Sequence, residues 1–443
     1  MAMLSGGRTA PINFRTLEVD NFFDYDFART TPTLAKYYDD PRNYTQFQGD
    51  GLAFDSSNVP IGGTIFSVKH VVDGRVALEI SDFAVPATTF HDLASGNDTR
   101  GLLSFVLNGG DIVNGTPLAD VLFGYAGDDT IRGGAGKDLI DGGSGIDTAL
   151  YSDKASSVEV ALKGIGNSKV VVGGIAEDTI RNVENVIGGF GADRLTGNGL
   201  ANVLDGGAGN DIIRGGGGAD TLIGGRGNDS LNGNSGRDTV DYSHDAANGG
   251  TSGVIVNLLG NGAQGGLSAD MARDGFGNTD IVKNIPNVVG TEFADRIFGG
   301  THANTLEGGA GDDLLRGGGG NDDLYGGLGA DDLYGGSGVD VFHFKGITDS
   351  TVAEAGRDTI FDFSRVSGDK IDLSAIDADA ASEGNQAFTF IGAAEFSGVA
   401  GELRVVKNAS ETYVYGDTTG TGAADFAIYL DDAVTLDGGH FVL

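Results

Sequence analysis

The sequence has 443 residues, of which 78 are glycine; it contains no cysteine or tryptophan, and its formal net charge is −35. The length allows two or three domains, and a charge this negative argues against nucleic acids and anionic membrane surfaces as partners. A chain without cysteine has no thiol nucleophile, and it fits an exported protein that is stabilised by metal in place of disulfides.

The first residues show no signal for the general secretory route. Residues 1–18 lack the apolar segment of such a signal peptide, and no stretch of the chain has the length of a transmembrane helix. We therefore expect no membrane insertion, and we expect export to depend on a different signal.

Residues 1–107 predict a small α+β domain that is large enough for a core of its own. Alternating apolar and polar residues predict strands over 63–72 and 74–85, joined by a hairpin turn at Val72-Asp73-Gly74-Arg75. Residues 88–107 predict a helical connection that leads into the next part of the chain.

Two groups of residues in this domain are candidates for function. An acidic-aromatic stretch would suit a sugar ring, because aromatic faces stack on C–H faces and carboxylates accept hydroxyl bonds. Burial statistics favour the other reading, that the same aromatic residues form the core of the domain. Two histidines with two acids would suit acid–base chemistry, although the sequence does not say whether they meet. The residues concerned are Asp20–Asp26, Tyr37, Tyr38, Asp39 and Asp40 in the first group, and His70, His91, Asp73 and Asp92 in the second.

Sixteen copies of a nine-residue unit follow, in three unbroken runs over 115–150, 188–241 and 290–343. Glycines at positions one, two and four of the unit allow tight turns with positive φ. The eighth residue is apolar in almost every unit, which predicts a very short strand with one inward side chain. The sixth residue is an acid or its amide: Asp120, Asp129, Asp138, Asp147, Asp193, Asn202, Asp211, Asp220, Asp229, Asp238, Asp295, Asn304, Asp313, Asp322, Asp331 and Asp340.

This pattern predicts a right-handed parallel β-roll, a β-solenoid in which two units make one turn. Stacked turns bring carboxylates and turn carbonyls from units two apart together, and hard oxygen ligands in a flexible turn suit Ca²⁺ better than zinc or copper. Without a cation the aligned Asp rows repel each other, so we expect folding to require Ca²⁺, with about ten sites if units two apart pair. A glycine-rich acidic linker would share the composition, but it would not keep an apolar residue every ninth position.

Two spacers interrupt the roll, which spans 108–344, and they resemble each other. They occupy 151–187 and 242–289, and they close with DTIRNVENVIGGFGADRLTG and DIVKNIPNVVGTEFADRIFG, each of which runs into the next repeats. We expect both spacers to continue the coil as irregular turns without metal and not to form separate domains.

Residues 345–443 predict a β-rich cap on the end of the roll. Alternation in LRVVK, TYVYGD and DFAIYL indicates antiparallel strands. A solenoid needs such a cap because its last turn would otherwise expose the core.

The repeats and the C-terminal region resemble the RTX family, the proteins secreted by Gram-negative type I systems, over about three-quarters of the chain. The repeats match the family's nonapeptide, and Asp358–Phe363, Gly368–Ser374 and residues 440–443 are similar to the C-terminal region of the serralysin metalloproteases. The resemblance implies that the sixteen position-six residues bind Ca²⁺ together with turn carbonyls. It also implies that the C-terminus is an uncleaved export signal for the type I apparatus, and that the chain folds only in the higher Ca²⁺ outside the cell.

The resemblance does not extend to an activity. Serralysins carry HExxHxxGxxH, whereas no histidine here lies in an HExxH motif, and the GxSxG motif of a lipase is absent as well. Some RTX proteins cleave themselves at Asp-Pro in response to Ca²⁺, and Asp40-Pro41 is such a bond, but nothing else of that module is present and a plain turn is the favoured explanation. The six histidines are His70, His91, His244, His302, His343 and His440.

Three hypotheses for the function stay open at this point. The first is a secreted, extracellular or surface-associated Ca²⁺-binding protein whose residues 1–107 bind a ligand such as a surface glycan or a host component. The second is a secreted enzyme, a hydrolase, lyase or self-processing protein, with its active site in the same residues. The third gives the array itself a role, in calcium buffering or in surface-layer association.

Overall fold

The computed structural model describes residues 107–443 apart from Asn261 and, before them, the backbone of six strands together with Ala87 and Phe90. The chain divides into two compact units, Met1–Gly207 and Ala208–Leu443. Among the described residues, no helix has the length and apolar character needed to cross a membrane.

The N-terminal strands form an antiparallel sheet. Its strands are β1 (Met3–Gly6), β2 (Phe27–Thr31), β3 (Leu34–Asp40), β4 (Asn43–Phe54), β5 (Pro60–Val72) and β6 (Arg75–Pro86). Strands β2 to β6 pair in chain order, and β1 pairs with β6. Val72 lies opposite Arg75 at the β5–β6 hairpin, which agrees with the predicted turn.

The described core of this sheet is small, and the rings of Phe47 and Phe90 meet there edge to face at 5.5 Å between centroids. Its buried side chains are Phe47, Leu52, Ile65, Val68, Ala87 and Phe90. The helix predicted for 88–107 lies outside the described residues except for Phe90 and Leu107, so the α part of the α+β prediction stays a prediction. The side chains of the candidate functional residues also lie outside the described part of the chain: Asp20–Asp26, Tyr37, Tyr38, Asp39, Asp40, Pro41, His70, Asp73, His91 and Asp92.

In the first unit the repeats build two parallel sheets. The strands are β7 (Ile112–Asn114), β8 (Val121–Ala126), β9 (Thr130–Arg132), β10 (Leu139–Ser144), β11 (Thr148–Leu150), β12 (Val158–Ala161), β13 (Ser168–Val172), β14 (Ile175–Arg181), β15 (Asn185–Ile187), β16 (Arg194–Thr196) and β17 (Val203–Asp205). One sheet has the order β7-β9-β11-β15-β17, and the other contains β8-β10-β14 and the pair β12-β16. Successive repeats alternate between the sheets, so units two apart are neighbours, as in the predicted parallel β-roll.

The N-terminal sheet continues into the first of these two sheets. Strand β1 lies between β6 and β7: Met3 is opposite Ser81 on one side and opposite Ile112 on the other. Because β7 in turn pairs with β9, the hydrogen-bonded ladder runs without a break from the N-terminal strands into the roll.

The first spacer continues both parallel sheets of the coil and adds antiparallel strands to one of them. Strand β14 pairs in parallel with β10, and β15 pairs with β11, so both sheets continue through the spacer. Between them, β12, β13 and β14 form an antiparallel excursion, which the expectation of irregular turns did not include.

The second unit repeats this design. Its roll strands are β18 (Ile212–Gly217), β19 (Thr221–Ile223), β20 (Ser230–Ser235), β21 (Thr239–Asp241), β22 (Ile255–Asn257), β23 (Met271–Arg273), β24 (Thr279–Lys283), β25 (Asn287–Val289), β26 (Arg296–Phe298), β27 (Thr305–Ala310), β28 (Leu314–Gly319), β29 (Asp323–Leu328), β30 (Asp332–Ser337) and β31 (Val341–His343). The second spacer again contributes an antiparallel excursion, β22-β23-β24, while β24 and β25 extend the two parallel sheets.

The C-terminal residues cover the last turn, as the sequence predicts. They form β32 (Thr359–Ile360), β33 (Lys370–Asp372), β34 (Thr389–Gly392), β35 (Glu402–Lys407), β36 (Thr412–Asp417), β37 (Phe426–Leu430) and β38 (Phe441–Val442), with 3-10 turns at Glu354–Gly356 and Gly438–His440. Strands β35, β36 and β37 are antiparallel, and β37 pairs with β32 while β38 pairs with β33. Both sheets of the roll therefore end on C-terminal strands.

The side chains at position eight form the core of the roll in each unit. Short strands with one buried residue between two outward ones produce it, and each large aliphatic member contributes about 1.5–3 kcal/mol on burial. All sixteen of these side chains are 0% exposed: Leu122, Ile131, Ile140, Ala149, Leu195, Leu204, Ile213, Leu222, Leu231, Val240, Ile297, Leu306, Leu315, Leu324, Leu333 and Phe342.

Candidate metal centres

The position-six residues lie in rows along the edges of the roll, and one hydrogen bond repeats between members two units apart. The backbone N–H of Asp120 donates to Oδ1 of Asp138 at 2.8 Å, and that of Asp313 donates to Oδ1 of Asp331 at the same distance. The same bond joins Asp129 to Asp147, Asp211 to Asp229, Asp220 to Asp238, Asp295 to Asp313, Asn304 to Asp322, and Asp322 to Asp340. All sixteen position-six residues are at most 3% exposed.

The second carboxylate oxygen is the feature that points to a cation. In eight of these side chains Oδ2 is buried and makes no hydrogen bond within the part of the chain that the structure describes: Asp129, Asp138, Asp147, Asp238, Asp313, Asp322, Asp331 and Asp340. A buried carboxylate oxygen without a partner is costly, so a native structure is expected to supply one.

The position-one glycines leave a space that these oxygens face. A Cβ placed on Gly124 would lie under 3.0 Å from both Asp129 Oδ2 and the carbonyl oxygen of Gly142. The same overlap with a carboxylate oxygen and a carbonyl oxygen recurs at Gly308, next to Asp313. Carboxylate and carbonyl oxygens therefore converge on one small cradle, and such a set of hard oxygen donors fits Ca²⁺.

The electrostatics of the acid rows favours a bound positive charge. Burial, together with the neighbouring charges of Asp331 and Asp295, raises the pKa of Asp313 to about 9 against a backbone hydrogen bond that lowers it. Burial likewise raises the pKa of Asp129 and Asp138 to about 8. A bound cation would remove this penalty, because it stabilises the ionised form.

The rows extend to residues outside the repeats, which the sequence analysis missed. The backbone N–H of Asp138 donates to Oδ1 of Asp178 at 2.9 Å, and four equivalent acceptors end other rows: Glu184, Asp280, Asp358 and Asp369. Each of these five acids precedes an apolar residue by two positions, as in Asp178-Thr179-Ile180. The sequence contains this acid-x-apolar pattern at all five positions. It lacks there the glycines by which the nine-residue repeats are recognised.

Five of the sixteen predicted ligands have local partners for their side chains. Thr116 N–H donates to Asp120 Oδ2, as Gly189 N–H does to Asp193 and Thr291 N–H does to Asp295, so the first acid of each run is held by its own turn. The two amides, Asn202 and Asn304, accept from Asn198 and Gly300 and donate through Nδ2 to the carbonyls of Glu184 and Pro286.

Acidic and histidine side chains alone do not form a metal centre in the described part of the chain. Within residues 107–443 and the described strands before them, no group of three or more His, Cys, Asp or Glu side chains is close enough to hold a metal ion. A centre that combined one or two carboxylates with carbonyl oxygens of the glycine turns would fit the contacts described above. Such a centre assembles only when two turns stack, which ties metal binding to folding.

Comparison with known proteins agrees with this reading of the repeats. Residues 114–149, 187–222 and 214–243 match the family of the RTX calcium-binding nonapeptide repeat (4 copies), and residues 296–437 match the peptidase M10 serralysin C-terminal family. A search among curated proteins found no match.

Solved structures with detectable similarity include two subunits of a mannuronan C5-epimerase from Azotobacter vinelandii. The AlgE6R3 subunit is 28% identical over 34% of this chain and 78% of its own, and the AlgE6R2 subunit is 27% identical over 35% and 91%; both have a TM-score of 0.26. The extracellular lipase LipA from Serratia marcescens is 16% identical over 76% of this chain and 38% of its own, with a TM-score of 0.24. The family matches show that the chain carries RTX calcium-binding nonapeptide repeats and a serralysin-type C-terminal region.

Proposed function

We propose that this Ca²⁺-binding RTX protein is exported through a type I apparatus by its C-terminal region, folds its roll on Ca²⁺ outside the cell, and presents residues 1–107 to a ligand. The observation that carries the Ca²⁺ part is the buried Oδ2 row facing the glycine cradles, because a folded roll with ionised rows needs cations there. The family matches support export, because RTX repeats together with a serralysin-type C-terminal region are consistent with type I secretion.

The proposed ligands are the sixteen position-six residues with turn carbonyls, and we propose about ten ions. The eight carboxylates with an unbonded buried Oδ2 are the strongest members of that set. The acids at the ends of the rows, such as Asp178 and Asp358, extend the set, because they accept the same backbone hydrogen bond as the repeat acids.

A Ca²⁺ titration of the full chain, followed by circular dichroism and calorimetry, tests this proposal. We expect a cooperative gain of β signal at near-millimolar Ca²⁺, and we expect the replacement Asp313→Asn to shift the midpoint to higher Ca²⁺. The matched control is Asp312→Asn, one residue away, where the exposed side chain accepts a hydrogen bond from Ala330 that an amide oxygen also accepts. A full β signal without Ca²⁺, or equal midpoints for the two variants, would contradict the proposal.

For residues 1–107 we propose binding of a surface glycan or host component, supported by the acidic-aromatic stretch around Tyr37 and Tyr38. A glycan array probed with the Ca²⁺-loaded full chain tests this, with the double variant Tyr37→Ala/Tyr38→Ala expected to lose the signal. The control Phe190→Ala removes an aromatic side chain of the roll that is 67% exposed. Signal that persists in the tyrosine variant would move binding elsewhere on the molecule.

A further inference from the structure

A recess lies beside the second spacer, within the second unit. The turns at 234–237 and 300–303 line it, together with spacer residues 282 and 284–286. Its volume is about 580 Å³, which is in the range of sites that hold small ligands. We call this space the spacer recess.

The recess exists because the spacer crosses between the two sheets by a shorter path than the repeats do. Asn232 lies opposite Lys283, and Thr239 lies opposite Asn287. Residues 233–238 therefore make the connection in the repeat, whereas residues 284–286 make it in the spacer. The next repeat uses the longer path again, so two projecting turns stand on either side of a short one and a space is left between them.

The first spacer makes the same short connection. There, residues 182–184 join β14 to β15. Asn182 has a φ of 49°, and its counterpart Asn284 has a φ of 52°. Each of the two donates through Nδ2 to a side chain of the preceding level, Asp141 in one case and Asn232 in the other. The two spacers can therefore be compared position by position.

The residues at the rim differ in chemistry between the two spacers. Beside the first spacer, the flanking turns carry Ile146 and Leu200, which are 58% and 57% exposed. The same positions of the repeat unit beside the second spacer are Arg237 and His302, and both line the recess. Since apolar residues serve at these positions in the first spacer, the fold itself does not require the polar ones.

Asn234 is a further polar residue that the fold does not require. Its φ of 66° lies in the left-handed region, where glycine is free of strain and other residues are not. The residue at the same position beside the first spacer is Gly143, with a φ of 113°. The second spacer thus has an amide side chain at the recess in a place where glycine would suit the backbone better.

The lining offers both hydrogen-bond donors and acceptors. Arg237 has five N–H donors, and one of them donates to Thr305 Oγ1 at 3.4 Å. Asn284 uses its Nδ2 as a donor, and its Oδ1 is an acceptor at the recess. Asp270, from the loop before β23, adds a carboxylate to the lining.

The charges at the recess do not suit a simple ion. Pro286 occupies the place that the acid Glu184 has in the first spacer, so the acid row supplies no carboxylate for a cation at this level. An anion at Arg237 would meet the carboxylate of Asp270 in the same lining. A ligand that is neutral and that both donates and accepts hydrogen bonds fits better than either ion.

We propose that the spacer recess binds one ring of a neutral saccharide. Sugar hydroxyls can donate to Asp270 and accept from Arg237 and Asn234 in the same ring, which an apolar ligand cannot do. The C–H groups of the ring pack against Leu258 and Pro286, which supply apolar lining. This site consists of roll and spacer residues, and it is independent of any glycan site in residues 1–107.

Saturation-transfer NMR on the full chain in saturating Ca²⁺ tests the proposal, with the methyl glycosides of glucose, galactose and mannose as probes. We expect transfer to at least one of them and weaker binding of glucuronate and glucosamine, which carry a charge. Asn234→Gly and Arg237→Ile copy the residues beside the first spacer, so both variants should keep the melting temperature of the wild type. The dissociation constant should rise about fivefold in Asn234→Gly and at least about tenfold in Arg237→Ile, the sizes expected for a neutral and a charged hydrogen bond.

The matched control is Arg214→Ile, which removes an exposed arginine of β18 outside the recess and should bind like the wild type. Three results would overturn the site: no transfer to any of the three glycosides, tighter binding of a charged sugar, or equal affinities of Arg237→Ile and Arg214→Ile. Transfer that is lost in Tyr37→Ala/Tyr38→Ala but kept in both recess variants would also overturn it, since the signal would then come from residues 1–107.

Discussion

The backbone N–H of Asp313 donates to Oδ1 of Asp331 at 2.8 Å, while the Oδ2 of Asp331 stays buried without a hydrogen bond among the described residues. One carboxylate oxygen of Asp331 thus joins its turn to the neighbouring turn, and the other is available to a ligand. Asp313 and Asp340 show the same arrangement, so a cation bound at one of these acids would also order the acid two units away. The expected result is cooperative folding along the roll.

The raised pKa values of the rows predict how the Ca²⁺-free chain responds to pH. Burial raises the pKa of Asp313 to about 9 and that of Asp129 to about 8, from 3.8. The folded, Ca²⁺-free state therefore holds protons that the unfolded state has released, so its extra stability is full below about pH 4 and is lost as the pH rises through 8 to 9. We expect residual β structure without Ca²⁺ at about pH 5 that disappears by about pH 8.

The same shifts predict that Ca²⁺ displaces protons. Calorimetric titration at about pH 5, where we expect the Ca²⁺-free chain to keep residual structure with protonated rows, should give different apparent enthalpies in two buffers with different heats of ionisation, with the difference reporting the protons released per chain. The Ca²⁺ midpoint should also be higher at about pH 5 than at about pH 8, because protons compete for the same carboxylates. Equal enthalpies in the two buffers would show that the rows are already ionised before Ca²⁺ binds.

The glycine cradle predicts that a single methyl group blocks a site. In Gly124→Ala, the new Cβ would overlap Asp129 Oδ2 and the carbonyl of Gly142, which is a cost of about 1–3 kcal/mol for overpacking in addition to the loss of the cation. The control is Gly199→Ala, whose Cβ would have no atom within 4 Å. Thermal unfolding in saturating Ca²⁺, together with the bound metal measured by equilibrium dialysis, should show a loss of both stability and metal in the first variant alone.

The continuity of the sheets predicts that residues 1–107 do not fold independently of the roll. Strand β1 is hydrogen-bonded on both sides, with Ser5 opposite Glu79 in β6 and opposite Asn114 in β7. Leu4→Pro removes an N–H from this central strand and should destabilise the N-terminal sheet by about 1–3 kcal/mol, whereas Leu4→Val keeps the ladder. Hydrogen exchange should then show lost protection in both β6 and β7; loss confined to one of them would contradict the shared ladder.

The sequence predicts the roll well because the period of nine repeats the same physical requirement at every turn. Leu122 and its fifteen counterparts must point inward, and the acid two residues earlier must face the turn, so one unit defines all of them. The spacers follow a weaker form of the same rule. Asp178 and Asp280 keep the acid-x-apolar signal, but their turns lack the glycine pattern, and their partners come from up to 51 residues away.

Other features depend on contacts that a repeat pattern does not encode. The antiparallel strands β13 and β23 carry alternation too short to separate from an irregular turn. The spacer recess follows from the short connection at 284–286 between two longer turns, and no local pattern indicates it. The sequence also did not indicate the roles of Asn202 and Asn304. An amide at position six suggests a weaker metal ligand, and only the structure shows that its Nδ2 donates a hydrogen bond to a backbone carbonyl.

At Asn304 we predict the opposite effect, a substitution that makes the stability of the protein depend on a bound cation. Its Nδ2 donates to the carbonyl of Pro286 at 2.6 Å, and its Oδ1 accepts from Gly300 N–H at 2.8 Å, so the side chain is satisfied by the chain itself. Asn304→Asp replaces the donor with an oxygen that faces a carbonyl, which should cost about 1–3 kcal/mol when no cation is present. In saturating Ca²⁺, the new carboxylate and that carbonyl become ligands, and the loss should be recovered.

Thermal unfolding of this variant with and without Ca²⁺ measures the difference directly. The matched control is Asn210→Asp, at an exposed position whose Oδ1 accepts from Asn228 N–H at 2.9 Å, a bond that a carboxylate also accepts. We expect the melting temperature of Asn304→Asp to rise more with Ca²⁺ than that of the control, because only at residue 304 does the added charge lie 2% exposed beside a carbonyl oxygen. An equal response of the two variants would mean that the rows attract Ca²⁺ through net charge alone and that the geometry of the turn makes no contribution.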